Sequence, residues 1–197
     1  MKRYNVPRLA FVNKLDRMGA NPHNGIKGIR DILKLNAVAM QLPIGLEEDH
    51  SGVVDLIKMK AYFFDGEHGD EVRIEEIPEE MKDETERFRG EMLEAVSMFD
   101  DQMMEDILED NEIDEDTIHA AIKKGVQSLE LCPVYMGSAF KNKGVQLLLD
   151  AITTYLPSPL DSVSTNAKDL KTQEDVVLSC DPEKPTVAMA FKLTEEQ

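Results

Sequence analysis

Apolar positions change their spacing several times along this chain, and each change marks an element. Leu9-Ala10-Phe11-Val12 is an unbroken apolar run, the pattern of a short buried strand. Gly19-Ala20-Asn21-Pro22 is a turn signal. Ile26, Ile29 and Leu33 then recur at helical spacing and predict a helix near 24–35. Val38 to Ile44 and Gly52 to Phe64 read as strands, and Pro43 puts the first at an edge or a strand end. Asp65-Gly66 and Gly69-Asp70 are turn chemistry, which predicts a hairpin with a loop across 53–75.

Pro78-Glu79-Glu80 opens a helix, because proline suits the first turn and acids favour the positive helix end. Phe88, Met92, Val96 and Phe99 share one face of it; Met103, Ile107 and Leu108 extend it or begin another. This Met-rich stripe reads as core. Asp114 or Asp116 caps a further helix, with Ile118, Ile122, Val126 and Leu129 inward. Val134-Tyr135-Met136 is a second buried strand, ending at Gly137-Ser138-Ala139-Phe140. A helix follows from Gly144 towards Tyr155, its stripe formed by Val145, Leu148, Leu149, Ile152 and Leu156, and Pro157-Ser158-Pro159 stops it. Residues 161–185 are polar and aperiodic, a linker or extended loop. Thr186 to Leu193 alternates as a strand, and its lack of partners suggests a further β domain.

The 197 residues carry 42% apolar side chains, which supports a real core. No apolar stretch approaches the roughly 20 residues that span a bilayer, and the polar N-terminus resembles neither a signal nor a transit peptide. Cys132 and Cys180 form no disulfide framework or metal cluster and are expected to be reduced. The net charge of −17 is uneven: residues 38–131 carry −20 and the remainder +3. An acidic module inserted in a near-neutral host is the implied arrangement. Its surface should repel nucleic-acid phosphate and attract basic protein patches, or serve only solubility.

The candidate chemistry sits after the two buried strands. Asn13-Lys14-Leu15-Asp16 follows the first. Guanine presents donors at N1 and N2, whereas adenine presents an acceptor at N1 and no amine at C2. A carboxylate at Asp16 therefore pairs with guanine twice and leaves adenine unpaired; charge-assisted bonds are the stronger kind. Asn13 offers donor and acceptor, and the Lys14 stem can cover one face of a base. Ser138-Ala139 follows the second strand, where backbone N–H groups can meet the guanine oxygen and Phe140 the other face. Asp16-Arg17-Met18-Gly19 and Asp49-His50-Ser51-Gly52 both match D-x-x-G, a magnesium-side switch pattern, and both read as chance. His23, His50, His68 and His119 show no ligand spacing, and the acid-rich 109–116 lacks the glycine of a calcium loop. A phosphate-binding G-x-x-x-x-G-K-[ST] is absent, so this polypeptide alone is expected not to hydrolyse GTP.

Three stretches carry a family resemblance. Val6-Pro7-Arg8-Leu9-Ala10-Phe11-Val12-Asn13-Lys14-Leu15-Asp16-Arg17-Met18-Gly19-Ala20-Asn21-Pro22, Gly52-Val53-Val54-Asp55-Leu56-Ile57, and Gly137-Ser138-Ala139-Phe140-Lys141-Asn142-Lys143-Gly144-Val145-Gln146 with Tyr155-Leu156-Pro157-Ser158-Pro159 resemble translation elongation factor G. The likeness covers almost the whole chain and is weakest at 161–184. Tyr62-Phe63-Phe64-Asp65-Gly66 and Tyr135-Met136-Gly137 resemble its mitochondrial branch.

The resemblance implies an α/β fold: the C-terminal part of a P-loop, Ras-like GTPase domain with an inserted α+β subdomain, plus the first strand of a β-barrel domain. It divides the chain into GTPase domain (1–37), insert (38–131), GTPase return (132–160), linker (161–185) and barrel start (186–197). It implies guanine recognition of GTP or GDP by Asn13, Lys14, Leu15, Asp16, Ser138, Ala139 and Phe140. Mg2+ is expected only in a full-length protein. Ribosomal translocation of tRNA and mRNA is the implied activity, with the ribosome as partner and the insert facing its stalk proteins. A monomer without membrane contact or a nucleic-acid site of its own is expected, in the mitochondrial matrix, or in the cytoplasm if bacterial. The alternatives are a non-enzymatic acidic interaction module and a related GTPase of termination or ribosome recycling.

Overall fold

The computed structural model describes residues 2–161 and 166–188. They fall into two units, 1–156 and 157–197, which are taken separately.

In the first unit, strands β1 (Ala10–Val12), β2 (Ala37–Ala39) and β7 (Cys132–Met136) form a parallel sheet with β7 in the middle. Strands β3 (Gln41–Ile44), β4 (Gly52–Asp55), β5 (Lys60–Asp65) and β6 (Glu71–Glu75) form an antiparallel meander. The sheets meet at Met40, whose N–H donates to Val134 O (3.0 Å) while its carbonyl accepts from Leu56 N (3.0 Å). Helices are α1 (Pro22–Asp31), α2 (Lys82–Ser97), α3 (Asp101–Leu108), α4 (Glu115–Gln127) and α5 (Val145–Tyr155).

Helix starts follow local chemistry. Asn21, Asp100 and Asp114 each accept a backbone N–H three residues ahead, at 3.0, 3.0 and 2.9 Å. These side chains satisfy donors that the first helical turn leaves unpaired. Asp114 is thus the cap of α4, and α3 is a separate helix rather than an extension of α2.

Two apolar cores lie on opposite faces of the strands, as side-chain alternation requires. One joins Val38, Val54, Ala61 and Tyr135 to Met92, Val96, Met103, Ile118, Ile122 and Val126 of the helices. The other holds Leu15, Ile26, Ala37, Ala39, Val53, Tyr62, Phe64, Val134 and Met136. The Met-rich stripe is therefore core, and the first core runs from the acidic segment into the parallel sheet and α5.

Several details differ from the sequence pattern. Val38–Ile44 is two strands: Ala37–Ala39 pairs parallel with β7, and Gln41–Ile44 turns antiparallel onto β4. A continuous apolar run carries no mark of that change of sheet. Helix α5 buries Ala151 and Tyr155, while Leu149 and Ile152 face outward at 56% and 38% exposure. Tyr155 is 1% exposed on the inward face, where its hydroxyl meets His119 Nδ1 at 2.6 Å on α4. Leu129 lies beyond the end of α4 at φ +70° and is only partly buried.

In the second unit, the stretch read as a linker contains a small hairpin, β8 (Asn166–Lys168) against β9 (Asp175–Val177). Its turn is fixed by the Asp169 carboxylate, which accepts from Lys171 N (2.7 Å) and Thr172 N (2.9 Å). Of the strand expected at Thr186–Leu193, residues 186–188 are not in a strand and the remainder lies outside the described residues.

Because one core spans segment and sheet, Met92→Ala should destabilise both together. The expected loss is about 2–5 kcal/mol. Urea unfolding followed by circular dichroism and by tyrosine fluorescence should give coincident, shifted transitions; separate transitions would contradict a shared core.

Candidate guanine-reading site

Parallel pairing of β1 with β7 aligns Val12 with Met136, so Asn13–Asp16 and Gly137–Phe140 leave the same edge of the sheet side by side. Gly137 N–H donates to Val12 O (3.0 Å), and Leu15 N–H donates to Gly137 O (3.1 Å). The Asn13 side-chain oxygen accepts from Ala139 N (3.0 Å) and from Lys14 N (2.8 Å). One side chain thus ties the two loops across 126 residues.

Leu15 fixes the rest of the first loop. Its side chain is 1% exposed in the second core, which forces its neighbours Lys14 and Asp16 to project elsewhere. Lys14 adopts φ +68°, in the left-handed region, and is exposed. That conformation is costly for a residue with a Cβ and persists only where surroundings enforce it. The second loop is equally constrained. Ser138 and Lys143 exchange backbone hydrogen bonds of 2.9 Å each. A Cβ on Gly137 would fall 2.1 Å from Lys143 O, so only glycine fits there.

The Asp16 side chain is 5% exposed, with Arg17 Nε 3.6 Å from Oδ2. The Ser138 hydroxyl beside it holds the carboxyl below the usual carboxylate value, against the opposing effect of burial. Asp16 Oδ1 is buried with no hydrogen-bond partner among the described residues. A buried acceptor left unsatisfied is costly and calls for a donor. The N1 and N2 donors of guanine have the chemistry to meet it. Phe140, 85% exposed, presents an open aromatic ring at the same loop.

The structure therefore brings together Asn13, Lys14, Leu15, Asp16, Ser138, Ala139 and Phe140 on two adjoining loops. Ser138 N–H donates to Lys143 O, which closes the second loop on itself, and Ala139 N–H donates to Asn13 Oδ1, which ties it to the first.

Sequence reasoning missed the residues that support these loops. Glu47 N–H donates to Leu15 O (2.7 Å), and Gly19 N–H donates to Glu47 Oε1 (2.6 Å). Lys143 Nζ donates to His50 O (2.7 Å). Asp49-His50-Ser51-Gly52 is thus no switch loop but part of a support, and His50 is 3% exposed, its basicity lowered by burial. Among the described residues no group of three His, Cys, Asp or Glu side chains is placed to hold a metal ion, and no helix is long and apolar enough to cross a membrane.

Two constrained loops at the carboxyl edge of a parallel sheet, one of them carrying a buried carboxylate oxygen without a donor, form an α/β arrangement of the kind that takes ligands at the strand ends. The chain belongs to the elongation factor Tu GTP binding domain family, whose model matches residues 1–158. It is similar to elongation factor G 1 of Borreliella afzelii, 52% identical over all of this chain and 28% of that protein. Elongation factor G 2 of Anaeromyxobacter dehalogenans is 54% identical over 99% of this chain, again 28% of its own length. A crystal structure from Thermus thermophilus superposes with TM-score 0.71 at 30% identity, covering 84% of this chain and 24% of that one. The chain thus spans about a quarter of the length of these proteins.

The depressed Asp16 pKa has a defined sign. Its stabilising contribution is present above the unfolded value of about 3.8 and is lost as pH falls through the lower folded value. Urea midpoints followed downward through the carboxylate range should fall more steeply for the native chain than for Asp16→Asn. Parallel curves would exclude this contribution.

Proposed function

We propose that this chain is the guanine-reading part of a translational GTPase that binds GTP and GDP and drives ribosomal translocation of tRNA and mRNA. The buried, unpartnered Asp16 Oδ1 beside the Asn13–Ala139 tie carries this reading. Asp16 would accept from guanine N1 and N2, the exposed Lys14 stem and Phe140 ring would flank the base, and Ser138 would keep the carboxylate ionised. Among the described residues β1 has β7 as its one sheet neighbour, so an apolar strand stands at an edge. That edge is where the phosphate-binding half of the domain would continue the sheet. Mg2+ would accompany the phosphates there, and hydrolysis would belong to the full-length protein, acting as a monomer.

The elongation factor G relatives support elongation over termination or recycling. Their bacterial sources favour the cytoplasm over the mitochondrial matrix that Tyr62–Gly66 suggested. The exposed acids of α2, among them Asp83, Glu84, Glu86, Glu91 and Glu94, suit a basic protein surface, and stalk proteins are the proposed partner.

Calorimetric titration of the full-length protein with GDP and ADP tests guanine reading. GDP should bind in clear preference to ADP, and Asp16→Ala should cost roughly 10- to 150-fold in GDP affinity. Equal ADP binding, or no loss in the variant, would overturn the reading. For the acidic surface, Glu84→Lys with Glu86→Lys should slow ribosome-stimulated GTP turnover, and the deficit should shrink as salt rises. Unchanged rates across the salt series would remove the stalk contact.

A further inference from the structure

Both base-reading loops rest on the acidic segment at their far side. Glu47, in a single 3-10 turn (Glu47–Asp49) between β3 and β4, holds the first loop at two points. Its N–H donates to Leu15 O (2.7 Å) and its Oε1 accepts from Gly19 N (2.6 Å). These points bracket Asp16. Between them the chain makes only two tight turns, Arg17 N to Lys14 O (3.1 Å) and Ala20 N to Arg17 O (3.0 Å). Gly19 and Glu47 themselves sit at φ +78° and +59°, in the left-handed region. A carboxylate on a short, strained loop is as well placed as the anchors on either side of it, and here one residue supplies both.

The second loop is held by the same segment. Gly69, in the turn between β5 and β6, accepts at its carbonyl from Gln146 Nε2 (3.0 Å) and Asn142 Nδ2 (3.4 Å). Gly69 has φ +62°, and a Cβ there would fall 2.5 Å from Lys141 O. The two backbones therefore touch directly.

We propose that Glu47 is a positioning residue for guanine recognition, acting through Leu15 and Gly19 to aim the Asp16 carboxylate. This rests on the reading of the two loops as a guanine site. Glu47 makes no contact with the base; it fixes where the acceptor stands. Binding sites tolerate displacements of only about 0.5 Å before recognition degrades.

The test uses GDP and ADP titrations of the full-length protein together with amide hydrogen exchange at Gly19. Glu47→Ala should accelerate exchange at Gly19 and weaken GDP roughly 10- to 100-fold while leaving the weak ADP binding unchanged, narrowing the preference for guanine. Glu47→Gln keeps an acceptor oxygen and should restore both towards the native values. If Glu47→Ala does not fold, Glu47→Asp withdraws the acceptor by one methylene and should give a smaller loss of GDP affinity at an unchanged denaturation midpoint. Native GDP affinity in the folded Ala variant, or in the Asp variant if Ala does not fold, overturns the positioning role. Failure of Gln to rescue the Ala variant overturns it as well. A native protein that does not prefer GDP instead overturns the guanine reading, and the positioning role with it.

Discussion

Parallel pairing of β1 with β7 is the constraint on which the site depends. Its register, Val12 opposite Met136, decides that Asn13 and Gly137 are neighbours and that both loops open at one carboxyl edge. A shift by one residue would turn Phe11 and Val12 onto the wrong cores and part Asn13 from Ala139. The central place of β7 makes this pairing robust, since β2 grips its other side. Burial on both faces leaves the register little freedom.

The acidic segment is not a loosely appended module. Its charge lies outside, and its inward positions are Met92, Val96, Met103, Ile118, Ile122 and Val126, packed in one core with Tyr135 and Tyr155. Asp55 is the exception that clarifies the rule. It is 8% exposed, and burial raises its pKa, while Ile57 N (2.8 Å) and Lys58 N (3.0 Å) donate to it. A buried carboxylate survives where backbone donors meet it. The strongly acidic exterior and the shared interior are thus compatible, because charge follows exposure rather than segment boundaries.

Much of the fold and of the site was legible in local pattern. The run Leu9–Val12 before Asn13-Lys14-Leu15-Asp16, and the run ending at Gly137-Ser138-Ala139, announced two strand–loop units before any geometry was known. Asp114 and Asp116 marked a helix start by chemistry alone, and the structure selects Asp114 as the cap. What stayed hidden was set by distant partners. The break at Met40 exists because β7 and β4 compete for one apolar run. The inward face of α5 includes Ala151 and Tyr155, the latter meeting His119, a partner that leucine spacing does not show. Glu47, Gly69 and Lys143 act through backbone groups of remote residues, and such bonds leave no periodic trace.

The Asn13–Ala139 tie, spanning 126 residues, also sets an order of assembly on the ribosome that makes this chain. At roughly 5–20 residues per second, β1 emerges about 6–25 s before β7 is available to pair with it. The meander β3–β6 and the capped helices α2–α4 involve near neighbours and can form in that interval. Strand β1 cannot make its pairing with β7 before that later strand exists. The acidic segment is therefore made, and can begin to fold, before the β1–β7 pair and the two-loop site it positions can close.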